Sequence, residues 1–420
     1  VINAPKGVKD TLPDEIPDWR SMEEKIRETM RRFGYEEIRF PTFEETGLFT
    51  RSIGETTDIV EKQMYTFKDA GQRSMTLVPE GTASVVRAYI EHGLAKTTPY
   101  VRLYYISRMY RQEAPQAGRY RQFNQFGVEA IGSASPAQDV EVMQVLLETL
   151  KNLGLKQTEL KVNSMGCSDD RAAYAKLLKE YLKPRLDSLC KDCQARFHTN
   201  PLRILDCKKE GCIKETADAP KTVDHLCGDC AGHFKKVTFY LQELGIAYSL
   251  TPRLVRGLDY YTRTVFEVIS PEVGAQDSLG GGGRYDNLVE QLGGESIPAT
   301  GFAAGMERIL LAMEKEGVKK ALPDTADLFL AVLGEDASLA GMKLAVSLRE
   351  MGISCCMDMM ERTLKAQMRQ ADKIGAKNVL IIGEDELKKG SAQLKNLGSG
   401  EQTEVPLSSP EQISKEVRKK

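Results

Sequence analysis

Histidine is scarce in this chain of 420 residues: only His92, His198, His225 and His233 are present. A Ser-His-Asp engine or a histidine-rich catalytic metal centre is therefore not expected. A basic excess is also missing. The formal net charge is −2, which excludes a generic polycationic nucleic-acid binder, so any RNA or phosphate contact must come from local patches. No run approaches the ~18 apolar residues of a membrane span, and the opening VINAPKGVKD has no apolar signal core, so neither a span nor secretion is expected. The usual nucleotide loops are absent too. There is no G-x-x-x-x-G-K-[ST], and Gly280 to Gly283 do not make a dinucleotide fingerprint. If a nucleotide binds, arginines on a sheet must hold it. Nine cysteines, an odd number, read as reduced cytosolic thiols or metal ligands rather than a disulfide framework.

What is present has the composition of an ordinary globular protein of about two to four domains. A first helix is expected from near Pro17 to Gly34, with Trp19, Met22, Ile26, Met30 and Phe33 at helical spacing. YEEIRFPTFEE then alternates like a strand, but Pro41 cannot donate to a ladder, which predicts an edge strand or an interface. A second helix follows PEGTA, with Thr82 as its expected cap and Gly93 at its end. Ser135-Pro136-Ala137-Gln138 predicts a capping box opening a helix that runs to Gly154. Residues 166–245 are charged, helical in texture and rich in cysteine. LVRGLDYYTRTVFEVIS reads as strand, and TGFAAGMERILLAM leads into a helix. KEGVKKALPDTAD reads as a linker, after which strand and helix patterns alternate, as in a small parallel α/β domain. The main body does not alternate in this way, and its hairpins predict an antiparallel sheet flanked by helices.

One hairpin carries chemistry. In YYISRMYRQE the period-two alternation puts Arg111 and Glu113 on one face. In RQFNQFGVEAIG it puts Gln125, Gly127 and Glu129 on one face, with Phe126 and Val128 opposite. APQAG is the turn. A guanidinium, a carboxamide and a carboxylate thus share a strand pair, with a glycine leaving room for a flat ligand. Arginine forks match phosphate oxygens, and a buried glutamate needs a partner. The plainer account, a solvated face with surface ion pairs, suits Arg119 and Arg121. It does not account for Gln125 and Glu129 in an otherwise apolar strand.

Two other features admit two readings each. Cys190-x-x-Cys193 and Cys227-x-x-Cys230 flank Cys207 and Cys212, with His225 and His233 nearby. The two pairs form either a structural zinc knuckle or a set of buried thiols acting as small hydrophobes. Cys355 and Cys356 fit strand core, and Cys167 is uninformative. In residues 327–420 basic and acidic residues balance, fourteen of each. Arg362, Lys365, Arg369, Lys373 and Lys377 nevertheless recur along one expected helix, as a solvated face or an RNA-facing one.

The motifs together resemble a known family. The hairpin resembles motif 2 of class II aminoacyl-tRNA synthetases, TGFAAGMERILLAM resembles motif 3 with Arg308, and RRFGYEEIRFPTFE resembles motif 1 with Pro41 at a dimer contact. PEGTA and LVRGLDYYTRTVFEV are similar to the histidine-binding signatures of the histidyl-tRNA synthetase family. The resemblance implies an α+β class II catalytic domain over 1–325, interrupted by a helical cysteine-rich insertion at 166–245, and an α/β anticodon-binding domain over 326–420. It implies a cytoplasmic homodimer that uses histidine, ATP with magnesium, and a histidine-specific tRNA. It assigns the α-phosphate to Arg111 and Arg256, the adenine to Glu113 and the γ-phosphate to Arg308, with Arg119 also at ATP. Histidine would be held by Glu80, Thr82, Gln125, Glu129, Arg256, Tyr260, Tyr261 and Tyr285. Gln116 and Arg121 would meet the tRNA acceptor end. The rival readings are a synthetase-like regulatory subunit of a phosphoribosyltransferase, a class II synthetase for another amino acid, and a non-enzymatic RNA-binding protein. The intact signature residues and the complete terminal domain argue against the first, LVRGLDYYTRT against the second, and the Gln125–Glu129 face against the third.

Overall fold

The structure is a computed structural model and describes residues 2–54, 57–116 and 118–419. Ala117 of the expected APQAG turn lies outside the described residues. The chain divides into two compact units, 1–321 and 322–420. No helix among the described residues is long and apolar enough to cross a membrane.

In the first unit helix α1 (Ile16–Arg32) leads to the short strand β1 (Glu36–Glu37). Helix α2 (Thr82–Glu91) is followed by the long hairpin β2 (Val101–Tyr110) and β3 (Gln122–Ile131), then by α3 (Pro136–Asn152) and β4 (Glu159–Ser164). Four helices cross the segment between β4 and β5 (Ser249–Leu250): α4 (Ser168–Leu182), α5 (Lys191–Thr199), α6 (Glu210–Glu215) and α7 (Gly228–Glu243). Strands β6 (Thr262–Ile269), β7 (Ser278–Arg284) and β8 (Ala299–Gly305) and helix α8 (Met306–Lys315) complete the unit. The eight strands form one sheet in the order β1-β2-β3-β8-β7-β6-β4-β5. Its six central strands pair antiparallel, and each outer strand pairs parallel.

The two faces of this sheet have different coverings. Phe126, Val128, Phe266 and Phe302 point to one side and pack on Met22, Ile26 and Met30 of α1, Val142 and Leu146 of α3, Val237 of α7 and Ile309 of α8. The opposite core joins Tyr105, Met109 and Val265 to α2 and to the insertion residues Leu189, Leu202 and Leu205. Full burial of one such aliphatic side chain stabilises by roughly 1.5–3 kcal/mol, so the helices seal one face while the insertion closes part of the other.

Local expectations fare unevenly. Pro41 marks a break between sheets: Glu36–Glu37 edge the large sheet, whereas Phe43–Glu45 pair with Ser74–Leu77 in a separate three-stranded sheet. The cap of α2 is not Thr82. Gly81 holds that position, and the Glu80 carboxylate accepts from the N–H groups of Thr82 and Ala83, both at 2.9 Å. Ser135 does cap α3, accepting from Ala137 at 3.3 Å. Gln138 does not return the bond, because its amide is engaged by Tyr100 and Glu141. Strand β2 stops at Tyr110, so Arg111 and Glu113 lie just beyond it. Gly280–Gly283 are neither turn nor loop but the middle of β7.

The second unit has a five-stranded sheet. Leu328–Val332 lies between Cys355–Met357 and Asn378–Ile382, and both pairings are parallel. An antiparallel pair, Ser391–Asn396 and Gln402–Pro406, extends it beyond the all-parallel sheet expected from the sequence. Helices Glu335–Glu350 and Leu364–Lys373 supply the crossovers. Cys355 is buried strand core, whereas Cys356 is exposed.

Candidate functional site

The uncovered part of the large sheet holds a cavity of about 460 Å³, lined among others by Glu80, Thr82, Arg111, Glu113, Arg119, Gln125, Arg256, Tyr260, Tyr261 and Arg308. The hairpin, α2, the segment before β6 and the start of α8 thus bring together most of the residues singled out from the sequence. Four guanidiniums in one cavity suit a polyanionic ligand.

Each guanidinium is aimed by a contact of its own. Arg111 donates from Nε to the Pro79 carbonyl at 2.8 Å, lies over the Phe123 ring at 5.3 Å, and places Nη1 3.7 Å from Glu113. Arg119 approaches the other oxygen of Glu113 at 3.2 Å. Arg308 donates to the carbonyls of Gly118 at 3.2 Å and Ser278 at 2.9 Å. Burial, together with the neighbouring Arg119 and Arg111, lowers its proton affinity. Arg256 pairs with Glu267 at 2.9 Å, and its Nε is buried without a partner. The side-chain oxygen of Gln125 is likewise buried and unpaired. Such orphans are costly in a folded protein, and both belong to side chains that line the cavity.

Glycine makes room in two distinct ways. A Cβ on Gly281, in β7, would fall 2.7 Å from Arg256 Nη1 and 2.7 Å from the Phe266 carbonyl oxygen, so only glycine lets that guanidinium lie on the sheet. The space over Gly127 is already filled by the Tyr105 hydroxyl and ring, 2.5–2.6 Å from where a Cβ would sit. The flat ligand expected there is replaced by the protein's own aromatic.

Beneath the cavity lies a polar floor. Glu129 is 1% exposed and accepts from Thr82 Oγ1 at 2.7 Å and, by a short contact, from the Tyr285 hydroxyl. Burial dominates its titration and pushes its carboxyl up to about 8 in spite of those two donors. Glu80 is also raised by burial, which outweighs its bonds to the α2 N-terminus. Tyr260 and Tyr261 pack with tilted rings, 4.7 Å between centres, and Tyr285 meets Tyr260 edge-on at 5.6 Å. Glu129 and Tyr285 do not line the cavity. They act from behind Thr82 and the tyrosines.

Comparison with known proteins matches this architecture along almost its whole length. The model of the histidyl-tRNA synthetase family covers residues 7–309, and an anticodon-binding domain model covers residues 327–418. The chain belongs to the histidyl-tRNA synthetase family. It is 50% identical over 415 residues to the histidine–tRNA ligase of Natranaerobius thermophilus, covering 99% of each chain. The same identity over 415 residues, with the same coverage, holds for the ligase of Caldanaerobacter subterraneus subsp. tengcongensis. Among solved structures, the apo histidyl-tRNA synthetase of S. aureus matches with a TM-score of 0.83 and 40% identity, covering 100% of both chains.

The cavity of this histidyl-tRNA synthetase family member is also lined by residues that its sequence did not single out. Glu267, the partner of Arg256, faces Gly281 across the β6–β7 ladder, a register that no local pattern shows. Asp206 and Lys208, from the insertion, reach the cavity wall. Other expected contacts are more restrained. Gln116 exchanges backbone bonds with Arg119 at the hairpin tip, and Arg121 donates to the carbonyls of Lys6 and Glu113 at 3.3 and 3.4 Å; neither lines the cavity. Of the five basic residues expected on one helix, Arg362 precedes it and binds Asp358 at 2.7 Å, while Lys377 follows it and binds Asp327 at 2.8 Å. Lys365, Arg369 and Lys373 lie on the helix itself.

The expected zinc ligand set needs correction. Cys190 and Cys193 do not converge with Cys227 and Cys230. The first pair gathers with Cys207 and Cys212, the second with Cys167 and Asp170. Short spacing identified each pair, but each pair heads a different helix, α5 or α7, and the fold sends those helices to different neighbours.

Proposed function

We propose that the cavity residues divide the work of histidine activation between an arginine grip and a polar floor. The chain is an ATP-dependent histidine–tRNA ligase. It forms histidyl-adenylate and pyrophosphate from histidine and ATP, then transfers the histidyl group to the 3′-terminal adenosine of its tRNA. Arg111 and Arg256 are assigned to the α-phosphate, approaching from the hairpin and from the β7 side, so that the histidine carboxylate oxygen attacks phosphorus and pyrophosphate leaves. Arg308 is assigned to the γ-phosphate, with Arg119 beside it and Glu113 at the adenine. ATP enters as its magnesium complex. Preorganised positive charge on non-bridging oxygens is the main catalytic contribution, because it strengthens as charge grows in the transition state.

The observation that carries this reading is the pair of orphaned polar atoms, Gln125 Oε1 and Arg256 Nε, in one cavity with Arg111 and Arg308. A substrate ammonium suits the first and a phosphate or carboxylate oxygen the second. Glu80 and Thr82 extend the amino-group side. Tyr260 and Tyr261, which line the cavity, form the imidazole-reading floor, and Glu129 and Tyr285 set its polarity from behind, Glu129 through its bond to Thr82. An amino acid that leaves these buried groups unpaired would be rejected by roughly 10⁴–10⁵.

Gln116 and Arg121, at the hairpin tip, are assigned to the tRNA acceptor end, and the second unit to the anticodon. Residues Phe43 and Phe67, exposed with their rings 6.0 Å apart beside the Pro41 break, support a homodimer contact there. The site of action is the cytoplasm.

Histidine-dependent ATP–pyrophosphate exchange tests the assignment. Arg256→Ala should reduce exchange by about 10²–10³ while largely sparing histidine binding. Equal loss of both would make Arg256 a structural residue.

A further inference from the structure

We propose that Cys190, Cys193, Cys207 and Cys212 form a structural zinc site that fixes the insertion's wall of the cavity. Their four sulfurs come from three separate stretches: the start of α5, the loop after Ile204, and α6. All four lie within 4.8 Å of one another, and the sulfurs of Cys190 and Cys207 are 4.0 Å apart. A tetrahedron with Zn–S bonds of about 2.3 Å has S–S edges of about 3.8 Å. A disulfide needs sulfurs at about 2.05 Å, and all nine cysteines are free. The spacing 190-x-x-193 and 207-x-x-x-x-212 falls in the range typical of structural zinc sites.

The surroundings fit an ion-bearing tetrathiolate. Cys193 and Cys212 are buried, and Cys207 nearly so. The backbone N–H of Cys190 is directed at the Cys212 sulfur at 3.3 Å, the kind of outer-shell bond that orients a ligating thiolate. Lys209, which pairs with Asp192 at 3.1 Å, also interacts with Cys190, and so brings one positive charge to the edge of the cluster. Buried thiols acting only as hydrophobes have no reason to converge from three segments on one point. The segment also needs a staple, since α5 and α6 have nine and six residues and few apolar side chains.

The consequence reaches the substrate cavity. Cys207 stands between Asp206 and Lys208, which both line it, and Arg203 just upstream binds Asp58 at 2.7 Å. An ion held by Cys207 would therefore set the position of this wall without taking part in the chemistry.

The second cluster provides the comparison. It gathers three cysteines and one carboxylate, and each oxygen of Asp170 already accepts a backbone N–H, from Cys227 at 2.9 Å and from Cys167 at 3.2 Å. Full-length chain purified under reducing conditions without chelator should contain at least one zinc per chain by elemental mass spectrometry. Cys193→Ser and Cys212→Ser should each lose one equivalent that Cys230→Ser retains. Cobalt exchanged into that position should show the visible bands of a tetrahedral thiolate complex. Zinc withdrawal should make residues 183–220 the first site of limited proteolysis. Wild-type chain with reactive thiols but without zinc, and unable to take up cobalt, would overturn the proposal. So would a Cys190–Cys207 disulfide in freshly isolated protein, or loss of the same equivalent in Cys230→Ser.

Discussion

Two buried carboxylates in the same unit titrate in opposite directions. Asp139 on α3 is raised by burial, but the Arg284 guanidinium and His233 outweigh it and bring it below its usual value; His233 lies 2.7 Å away and Arg284 Nε 3.0 Å. Glu129 has hydroxyls and no cation, so burial prevails and its carboxyl rises to about 8. The sign for stability follows. The folded state holds a proton on Glu129 that the unfolded state releases near its ordinary value of 4.5, so its contribution falls as pH climbs from about 4.5 to about 8. Glu129→Gln removes this loss. Its unfolding free energy, from chemical denaturation, should gain on that of the wild type as pH rises from 5 to 8.5, by roughly a few kcal/mol at the upper end. Parallel curves for the two proteins would show that Glu129 carries no such proton. The same variant should raise the KM for histidine steeply while leaving that for ATP near its starting value. A network such as Asp139–Arg284–His233 could not be read from the sequence, because its members are about 50 to 145 positions apart and none sits in a local motif.

Strand β7 shows what one element contributes to the site. Its glycines lie between β6 and β8, and Gly281 faces Glu267 on one side and Ala303 on the other. Removing side chains from a central strand sacrifices packing, and the return is a surface on which Arg256 can lie. Gly281→Ala would place a methyl 2.7 Å from a backbone oxygen that cannot swing away. It should destabilise by about 1–3 kcal/mol in chemical denaturation and lower histidine-dependent exchange by displacing Arg256. Exchange at the wild-type level would show that the arginine does not need the bare strand. The sequence made some of this legible. Period-two alternation correctly separated Phe126 and Val128 from Gln125 and Glu129, because side-chain direction in a strand is a local property. It could not place Glu267 against Arg256 or Tyr105 over Gly127, since both depend on register between strands. The cysteines failed for the same reason: spacing finds a pair, whereas the partner pair is chosen by tertiary structure.

At the scale of the molecule, the complete set of cavity residues, from Ile59 to Arg308, lies within residues 1–321. That unit has its own two cores, and the second unit is built on separate ones around Leu328, Leu330, Val379 and Leu380. Amino-acid activation consumes only histidine and ATP, both small enough to be held by the first unit alone. Transfer requires a tRNA, whose recognition is shared with the anticodon-binding domain matched at residues 327–418. A chain ending at residue 321 should therefore retain histidine-dependent ATP–pyrophosphate exchange within a few-fold of the full protein and lose most tRNA charging at limiting tRNA. Raising the tRNA concentration should restore part of the charging rate, because the missing unit supplies binding and no reacting group. If the shortened chain folds, by far-UV circular dichroism and cooperative unfolding, yet does not exchange, then the second unit is needed to build the cavity itself.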